Sequence, residues 1–324
     1  MSRFVHNLCS IALAAFALAF LPQAVCATDI PVFTEAWGPT LSDGSTLGIP
    51  DGMAIDHSGR LVVMNMSGAL RVFSQDGTVI QTVATPYLNC ENIEVDDLGN
   101  FYIADMWNNC VRKLAPDGSH LMTFSATPGS GPQQLYRPFA TKFKHATREL
   151  YVSDQFNGRI ARFTTEGVFL GQWGTLGTEA GRFYYCYGLD FNPANGDAYI
   201  VENSGTYPSR VQYFAPDTTC RGSFGEGVLN HAISLAVGID GTVYVGDKDN
   251  SRVVMYSASG ALDGTFGSRG TGAGQLRECH AIAVDDNNRV YVSDHYGKRI
   301  LVFDPPMSTP VQTSTWGRLK SLYR

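Results

Sequence analysis

The chain has 324 residues, of which 44% are hydrophobic, 17% charged and 11% aromatic. This composition is that of a folded protein with a hydrophobic core, and it excludes disordered, collagen-like and coiled-coil chains. The length allows two domains, but 34 glycines and 15 prolines spread along the chain favour one large all-β domain of short strands and tight turns.

The first 27 residues have the features of a secretory signal. An apolar run, Ile11 to Leu21, follows Arg3 and precedes the small-residue sequence Val25-Cys26-Ala27. Eleven residues reach across only about half of the ~30 Å hydrocarbon core, so a membrane span is the weaker interpretation. We expect cleavage after Ala27 and a secreted, periplasmic or extracellular protein without a membrane span. Lipid attachment at Cys26 is the alternative.

The charge of the remaining chain argues against nucleic acid as a ligand. Removal of the signal takes away Arg3 alone, which leaves 23 basic against 30 acidic side chains and a net charge of −7. Proteins that bind RNA or DNA usually present a basic face to the phosphates. We therefore expect neither nucleic acid to bind.

A sequence pattern recurs six times between residues 50 and 304. Each copy has an apolar strand, a turn, a strand of the Tyr-Val type that ends in an acid or Asn, and a third strand that begins near Arg. The acids from Asp105 onward are 49, 48, 45 and 47 residues apart, the length of a four-stranded propeller blade. The six second strands end at Asn65, Asp105, Asp154, Glu202, Asp247 and Asp294.

Glycine-containing turns separate the strands within each copy. Pairs such as Asp240-Gly241 and Asp117-Gly118 provide the positive φ that tight hairpins need. Each copy is therefore predicted to be an antiparallel meander, and one such sheet buries too little surface to be stable alone. The prediction is an all-β fold, a six-bladed β-propeller of four-stranded antiparallel blades over residues 28–310, which we expect to be a monomer.

These residues resemble the NHL-repeat family of six-bladed β-propellers. The resemblance covers about residues 30 to 317 and is clearest at Tyr102 to Arg112, Tyr151 to Arg159, Tyr244 to Arg252 and Tyr291 to Arg299. It implies the fold more strongly than a function, because such propellers include lyases, lactonases, RNA binders and interaction modules. The recurring acid and Arg are interpreted as internal bracing of each blade.

Two segments compete to be the outer strand that closes blade six. Val32 to Trp37 and Val311 to Trp316 both fit the pattern. The connection Asp304 to Pro310 contains three prolines, which oppose the tight hairpin that the C-terminal segment would need. We therefore predict that Val32 to Trp37 closes the ring and that residues 311–324 form a basic tail.

Function is expected where the repeat is broken at one mouth of the central channel. Aligning the six first strands places one residue from each blade in a ring at this mouth: Asp51, Glu91, Phe139, Tyr187, Ile233 and His280. Two carboxylates and an imidazole then converge on one side, since blades six, one and two are neighbours. The opposite side is apolar.

Aromatic residues surround this predicted mouth. The turns between the second and third strands add Trp107, Phe156 and Tyr296, and the connections between blades add three tyrosines. Such rings can either pack the loops or bind a ligand, and both interpretations stay open. The predicted ligand-binding residues are Asp51, Glu91, Trp107, Phe139, Phe156, Tyr187, His280 and Tyr296.

A divalent metal, calcium or zinc, is a possible cofactor at Asp51, Glu91 and His280. The blade layout also resembles the secreted lyase family that completes peptide amidation, which implies a zinc-binding His at the ring position of three blades. Here His280 is the single match, since His231 lies two residues before its ring position. Lactonase-type propellers use Glu, Asn and Asp around calcium, and Glu91, Asn92 and Asp51 are compatible with that set.

Five cysteines remain after the signal: Cys90, Cys110, Cys186, Cys220 and Cys279. Cys90 and Cys110 are predicted to lie on the same face of blade two, where a disulfide would close a loop of about 20 residues. The function that we predict is a secreted module that binds a peptide, carbohydrate or protein through its aromatic, acidic mouth. The alternative is a metal-dependent lyase or lactonase that uses Asp51, Glu91 and His280.

Overall fold

The computed structural model describes residues 30–125 and 127–306. The predicted signal (1–27) and the predicted basic tail (311–324) lie outside the described residues. No helix among the described residues is long and apolar enough to cross a membrane.

The described chain forms six four-stranded antiparallel sheets, which confirms the predicted six-bladed propeller. Blades one to three comprise β2 (Pro50–Ile55), β3 (Leu61–Asn65), β4 (Ala69–Phe73), β5 (Val79–Ala84), β6 (Asn92–Val95), β7 (Phe101–Asp105), β8 (Cys110–Leu114), β9 (His120–Phe124), β10 (Pro138–Lys144), β11 (Glu149–Asp154), β12 (Arg159–Thr164) and β13 (Phe169–Trp173). Blades four to six comprise β14 (Cys186–Phe191), β15 (Ala198–Glu202), β16 (Arg210–Phe214), β17 (Cys220–Phe224), β18 (Ala232–Val237), β19 (Val243–Asp247), β20 (Arg252–Tyr256), β21 (Leu262–Phe266), β24 (Cys279–Val284), β25 (Val290–Asp294), β26 (Arg299–Asp304) and β1 (Val32–Trp37). Two short strands, β22 (Ser268–Arg269) and β23 (Gln275–Leu276), pair in parallel between blades five and six.

The ring closes through the N-terminal strand, as the sequence predicts. β1 pairs antiparallel with β26, with Val32 opposite Asp304 and Trp37 opposite Ile300. Trp37 is buried and stacks on Phe73 of blade one with ring centroids 5.5 Å apart. The first and last described strands therefore share blade six, which leaves its third strand with partners on both sides.

The hydrophobic core lies between the blades. Six clusters of buried side chains lie mainly between neighbouring blades, and one of them joins blades six and one. The tyrosines of the repeated Tyr-Val strands are almost completely buried in blades two, four, five and six. A single sheet could not bury both of its faces, so the closed ring is what supplies each blade with a core.

The recurring acid and Arg brace five of the six blades. In blades two to six, the Arg Nε donates to the acid of the preceding strand over 2.5 to 2.9 Å. The same acids also accept backbone N–H groups from the connection before their blade, such as Tyr136 N to Asp154 and Asn230 N to Asp247. The pair therefore ties the blade connections to the sheets.

The predicted disulfide between Cys90 and Cys110 is absent, because all five described cysteines are free thiols. Cys90 and Cys110 are both buried in blade two. Burial raises the pKa of Cys110 to about 11 and that of Cys90 further. Both sulphurs are then protonated near neutral pH, and the thiol is far less reactive towards oxidation than the thiolate.

Candidate functional site

The first strands share a local irregularity that shapes the channel mouth. In five blades, the first strand pairs with the end of the second strand, as Pro50 does with Asn65 and Cys279 with Asp294, and the register then shifts. A β-bulge at this point re-aims the next side chain. That side chain belongs to the predicted ring, and five of the six ring residues line one cavity of about 40 Å³: Asp51, Glu91, Phe139, Ile233 and His280.

The sixth ring residue, Tyr187, packs against the cavity wall. Its ring meets Phe139 edge to face with centroids 4.7 Å apart. Phe139 and Ile233 are buried, so blades three to five present an apolar wall to the cavity. The charged side of the mouth lies across the channel in blades six, one and two, as the alignment of the repeats predicts.

A buried cluster of potential metal ligands occupies the charged side. Asp51, His280 and His295 each offer one ligand atom, and these atoms all lie within 4.8 Å of one another. Nδ1 of His295 is 3.0 Å from Oδ1 of Asp51, and the two imidazoles stack with centroids 4.7 Å apart. Glu91 lies beside this group, with Oε2 3.9 Å from Nε2 of His280.

The hydrogen bonding of the cluster leaves lone pairs available to a cation. His280 Nδ1 lies 3.4 Å from the backbone carbonyl oxygen of Asp51, which can only accept, so this nitrogen is the donor. Nε2 of His280 then carries the lone pair. Nδ1 of His295 is buried and makes no hydrogen bond, although the Asp51 carboxylate is near. Two buried imidazoles beside a carboxylate suit a divalent metal.

Burial controls the charge states at the mouth. Burial, reinforced by neighbouring His295 and Lys248, lowers the pKa of His280 to about 3, so its imidazole is neutral. Burial, followed by repulsion from Asp51, raises the pKa of Glu91 to about 7. The pKa of Asp51 is also raised, mainly by burial and against the opposing effect of His295. A neutral His280 and a partly protonated Glu91 therefore share one cavity.

Sequence reasoning missed His295 and Lys248, which follow the second-strand acid in blades six and five. Other blades have Met66, Met106, Gln155 and Asn203 at this position. Lys248 pairs with Glu278 over 3.6 Å, next to the cluster. Comparing the residue after each motif acid would have identified His295, because it is the only histidine in the set.

The predicted aromatic residues lie outside the cavity, around the mouth. Trp107 and Tyr296 are 54% and 57% exposed, whereas Phe156 is half-buried and stacks on Tyr185. Tyr296 also meets His295 edge to face at 4.8 Å. A groove of about 540 Å³ adjoins this region, with Phe156 and three tyrosines among its lining: Tyr184, Tyr185 and Tyr207.

The opposite end of the channel holds a second polar group that the sequence does not reveal. Lys142 Nζ lies 3.1 Å from Asp190 Oδ1 and 3.4 Å from Glu94 Oε2. These side chains line a cavity of about 300 Å³. The lysine joins the first strands of three neighbouring blades, so this end is crosslinked by charge.

Known proteins resemble this chain at low sequence identity. Peptidyl-glycine alpha-amidating monooxygenase of Mus musculus is 25% identical over 231 residues, 65% of this chain. The match covers 23% of that relative, so this chain spans less than a quarter of its length.

Two solved propellers resemble the fold. A gluconolactonase from Xanthomonas campestris has a TM-score of 0.61 at 13% identity and covers 87% of this chain and 96% of its own. Virginiamycin B lyase from Staphylococcus aureus has a TM-score of 0.56 at 11% identity, and the match covers 80% of this chain and 82% of that protein.

The NHL repeat family matches residues 276–303, which include the second strand of blade six and His295. With six four-stranded blades in one closed ring and a match to the NHL repeat in blade six, the chain is a six-bladed β-propeller that carries an NHL repeat.

Proposed function

We propose that the protein is a metal-dependent lyase or lactonase whose reaction takes place at the channel mouth. The observation that carries the proposal is the buried group of Asp51, His280 and His295, with ligand atoms within 4.8 Å of one another. Two imidazoles and one carboxylate form the protein donor set of many catalytic zinc sites, which keep a further position open for water or substrate.

Zinc fits this group better than calcium does. Calcium takes six to eight oxygen ligands, whereas imidazole nitrogen suits zinc. His280 is neutral near pH 7, as a ligand must be, and its Nδ1 is oriented by the Asp51 carbonyl oxygen. A zinc ion held here would supply Lewis-acid polarisation of a carbonyl or ester oxygen.

Glu91 is the group that exchanges a proton with the substrate. Its carboxyl lines the same cavity as Asp51 and His280, 3.9 Å from Nε2 of His280. A carboxyl with a pKa of about 7 is populated in both protonation states at neutral pH, which favours general acid–base catalysis. The apolar wall formed by Phe139 and Ile233 limits access of water.

The named activities of the similar solved propellers, a lactonase and a lyase, support this choice of reaction class by analogy of fold. The apolar run Ile11 to Leu21 supports action outside the cytosol. The second candidate function is a binding module for a peptide, carbohydrate or protein, and the exposed rings of Trp107 and Tyr296 favour it.

Zinc titration of the dialysed protein tests the metal site. We expect one zinc ion per chain by calorimetry, and binding weakened about 100-fold or more in His295→Ala because a ligand is lost. His231→Ala is the matched control, since His231 is a half-exposed histidine paired with Asp249 over 3.4 Å. Equal zinc affinity in both variants would contradict the assignment.

Turnover of aldonolactones and of streptogramin B tests the catalytic part. Glu91→Gln should lower kcat by about 100-fold or more, while the zinc affinity measured on the same sample is kept. Tight binding of a peptide or sugar without turnover by the zinc-loaded protein would instead favour the binding module.

A further inference from the structure

A second ring of residues lies two positions before the first one, at the outer edge of the mouth. The members occupy equivalent positions. Each stands directly before the residue that pairs with the end of the second strand, or that the repeat aligns with it. The six members are Ile49, Asn89, Arg137, Tyr185, His231 and Glu278. The only arginine in this ring belongs to blade three. Blade three faces blade six across the channel, so Arg137 lies opposite the side that carries His280 and His295.

Aromatic rings hold the guanidinium of Arg137 in place. Its Cζ lies 4.4 Å from the ring centroid of Trp107 and 5.0 Å from that of Phe156. The backbone is fixed as well, because Arg137 N donates to Asn109 Oδ1 and Tyr136 N donates to Asp154 Oδ1. Contact with aromatic faces leaves the guanidinium edges, which carry the N–H donors, free to bind in plane.

Arg137 differs from the bracing arginines in having no acidic partner. Within residues 30–125 and 127–306, its guanidinium makes no hydrogen bond and has no carboxylate within 4.0 Å, whereas Arg159 and Arg252 each bind the acid of their own blade. A half-buried, preorganised cation without a counter-ion, placed at a channel mouth, is equipped to bind an anion.

We propose that Arg137 binds a carboxylate of the substrate and thereby selects small molecules with an acid group opposite the reacting bond. This inference rests on the proposed function only for the position of the reacting bond of the substrate. A carboxylate matches the planar fork of the guanidinium in a bidentate geometry. A polyanion is disfavoured, because Asp51, Glu91 and Glu278 lie across the same mouth.

Matched acid and amide probes test this proposal. Phenylacetate and phenylacetamide share an aromatic ring and differ in the charge of the head group. Ligand-observed NMR titrations of the wild-type protein, with and without zinc, should show phenylacetate binding about tenfold or more tightly than phenylacetamide. In Arg137→Gln, this difference should disappear while zinc affinity is unchanged.

Arg148→Gln is the matched control. Arg148 also has a positive φ, 56° against 54° for Arg137, but it is exposed in the turn at the far end of β10. We expect this variant to keep the preference for the acid. Arg137→Lys keeps the charge without the planar fork, and it should retain only part of the preference.

The two proposals fail in different ways. Loss of zinc binding in the wild-type protein would reject the metal site, yet an Arg137-dependent preference for the acid in metal-free protein would still support the carboxylate site. A preference for the acid that persists in Arg137→Gln, or that arises only with zinc, would overturn the Arg137 proposal, because the carboxylate would then bind the metal. Equal affinity of both probes for wild-type protein would overturn it as well.

Discussion

Individual charged residues at the two ends of the channel are used differently. At the mouth, His295 Nδ1 is buried without a hydrogen bond. At the opposite end, Lys142 lies between two carboxylates at 3.1 and 3.4 Å, so its charge is matched. The imidazoles of His280 and His295 beside the Asp51 carboxylate can ligate a cation, whereas a satisfied ion triad serves the fold. The distinction separates the functional end from the structural end.

Replacement of Lys142 by methionine should destabilise the fold. Glu94 and Asp190 would be left facing each other without a cation. We expect the free energy of unfolding to fall by about 2 kcal/mol at pH 7.5. This is less than the cost of removing one partner from a completely buried ion pair, because the Lys142 side chain is 32% exposed to the channel. Urea denaturation measures the loss. Lys144→Met, on the same strand but without an ion pair, should cost about 0.5 kcal/mol.

The destabilisation of Lys142→Met should depend on pH. Burial raises the pKa of Glu94 above its usual value, and Lys142 opposes that rise. Without the lysine, the pKa of Glu94 in the folded state lies still further above its value in the unfolded state. The ionised Glu94 carboxylate therefore destabilises the folded state at neutral pH. The penalty should shrink as the pH falls through the raised pKa towards 4.5. A difference between variant and wild type that stays constant from pH 7.5 to 4.5 would contradict this account.

The elements of the fold were largely predictable because each blade repeats the same local signals. Turn glycines and the Tyr-Val strands are visible in sequence, and the prolines after Asp304 correctly favoured β1 as the closing strand. The bulges in the first strands were not visible, since they depend on how six strands converge at the mouth. Asp51 and His280, which the repeats align, nevertheless line one cavity, because the bulge recurs with the repeat.

The closing strand should contribute more to stability than its position at the chain end suggests. Trp37 is 7% exposed and packs between Phe73 of blade one and Tyr291 of blade six. Trp37→Ala should lower the free energy of unfolding by about 3 kcal/mol or more through lost burial and a cavity. Thermal and urea unfolding test this, with Val32→Ala as the control, because Val32 is 57% exposed on the same strand.

Removal of residues 28–38 should then lower the melting temperature far more than removal of residues 311–324. The first deletion removes β1 and leaves the edge of β26 unpaired. Differential scanning calorimetry compares the two truncated chains with the intact one. A larger effect of the C-terminal deletion would assign the main closing contact to that segment.

At the scale of the whole molecule, the limits of sequence reasoning come from contacts between blades. His295 and Asp51 are 244 positions apart in the numbering and meet because the ring closes between blades six and one. Cys90 and Cys110 lie in one blade, yet proximity along a blade did not produce a bond. Repetition predicts where the blades lie, whereas the identity of a site depends on the few positions that depart from the repeat.

Zinc should therefore stabilise the closure of the ring in particular. Asp51 comes from blade one, whereas His280 and His295 come from blade six, so a bound ion would tie together the two sides of the seam that β1 completes. At 100 times its dissociation constant, zinc should add about 2.7 kcal/mol to the free energy of unfolding. Hydrogen exchange should slow most in β2, β24 and β25, the strands that carry or directly precede the three ligands, and the effect should be lost in His295→Ala. Equal slowing in blades three and four would show instead that the ring opens only as a whole.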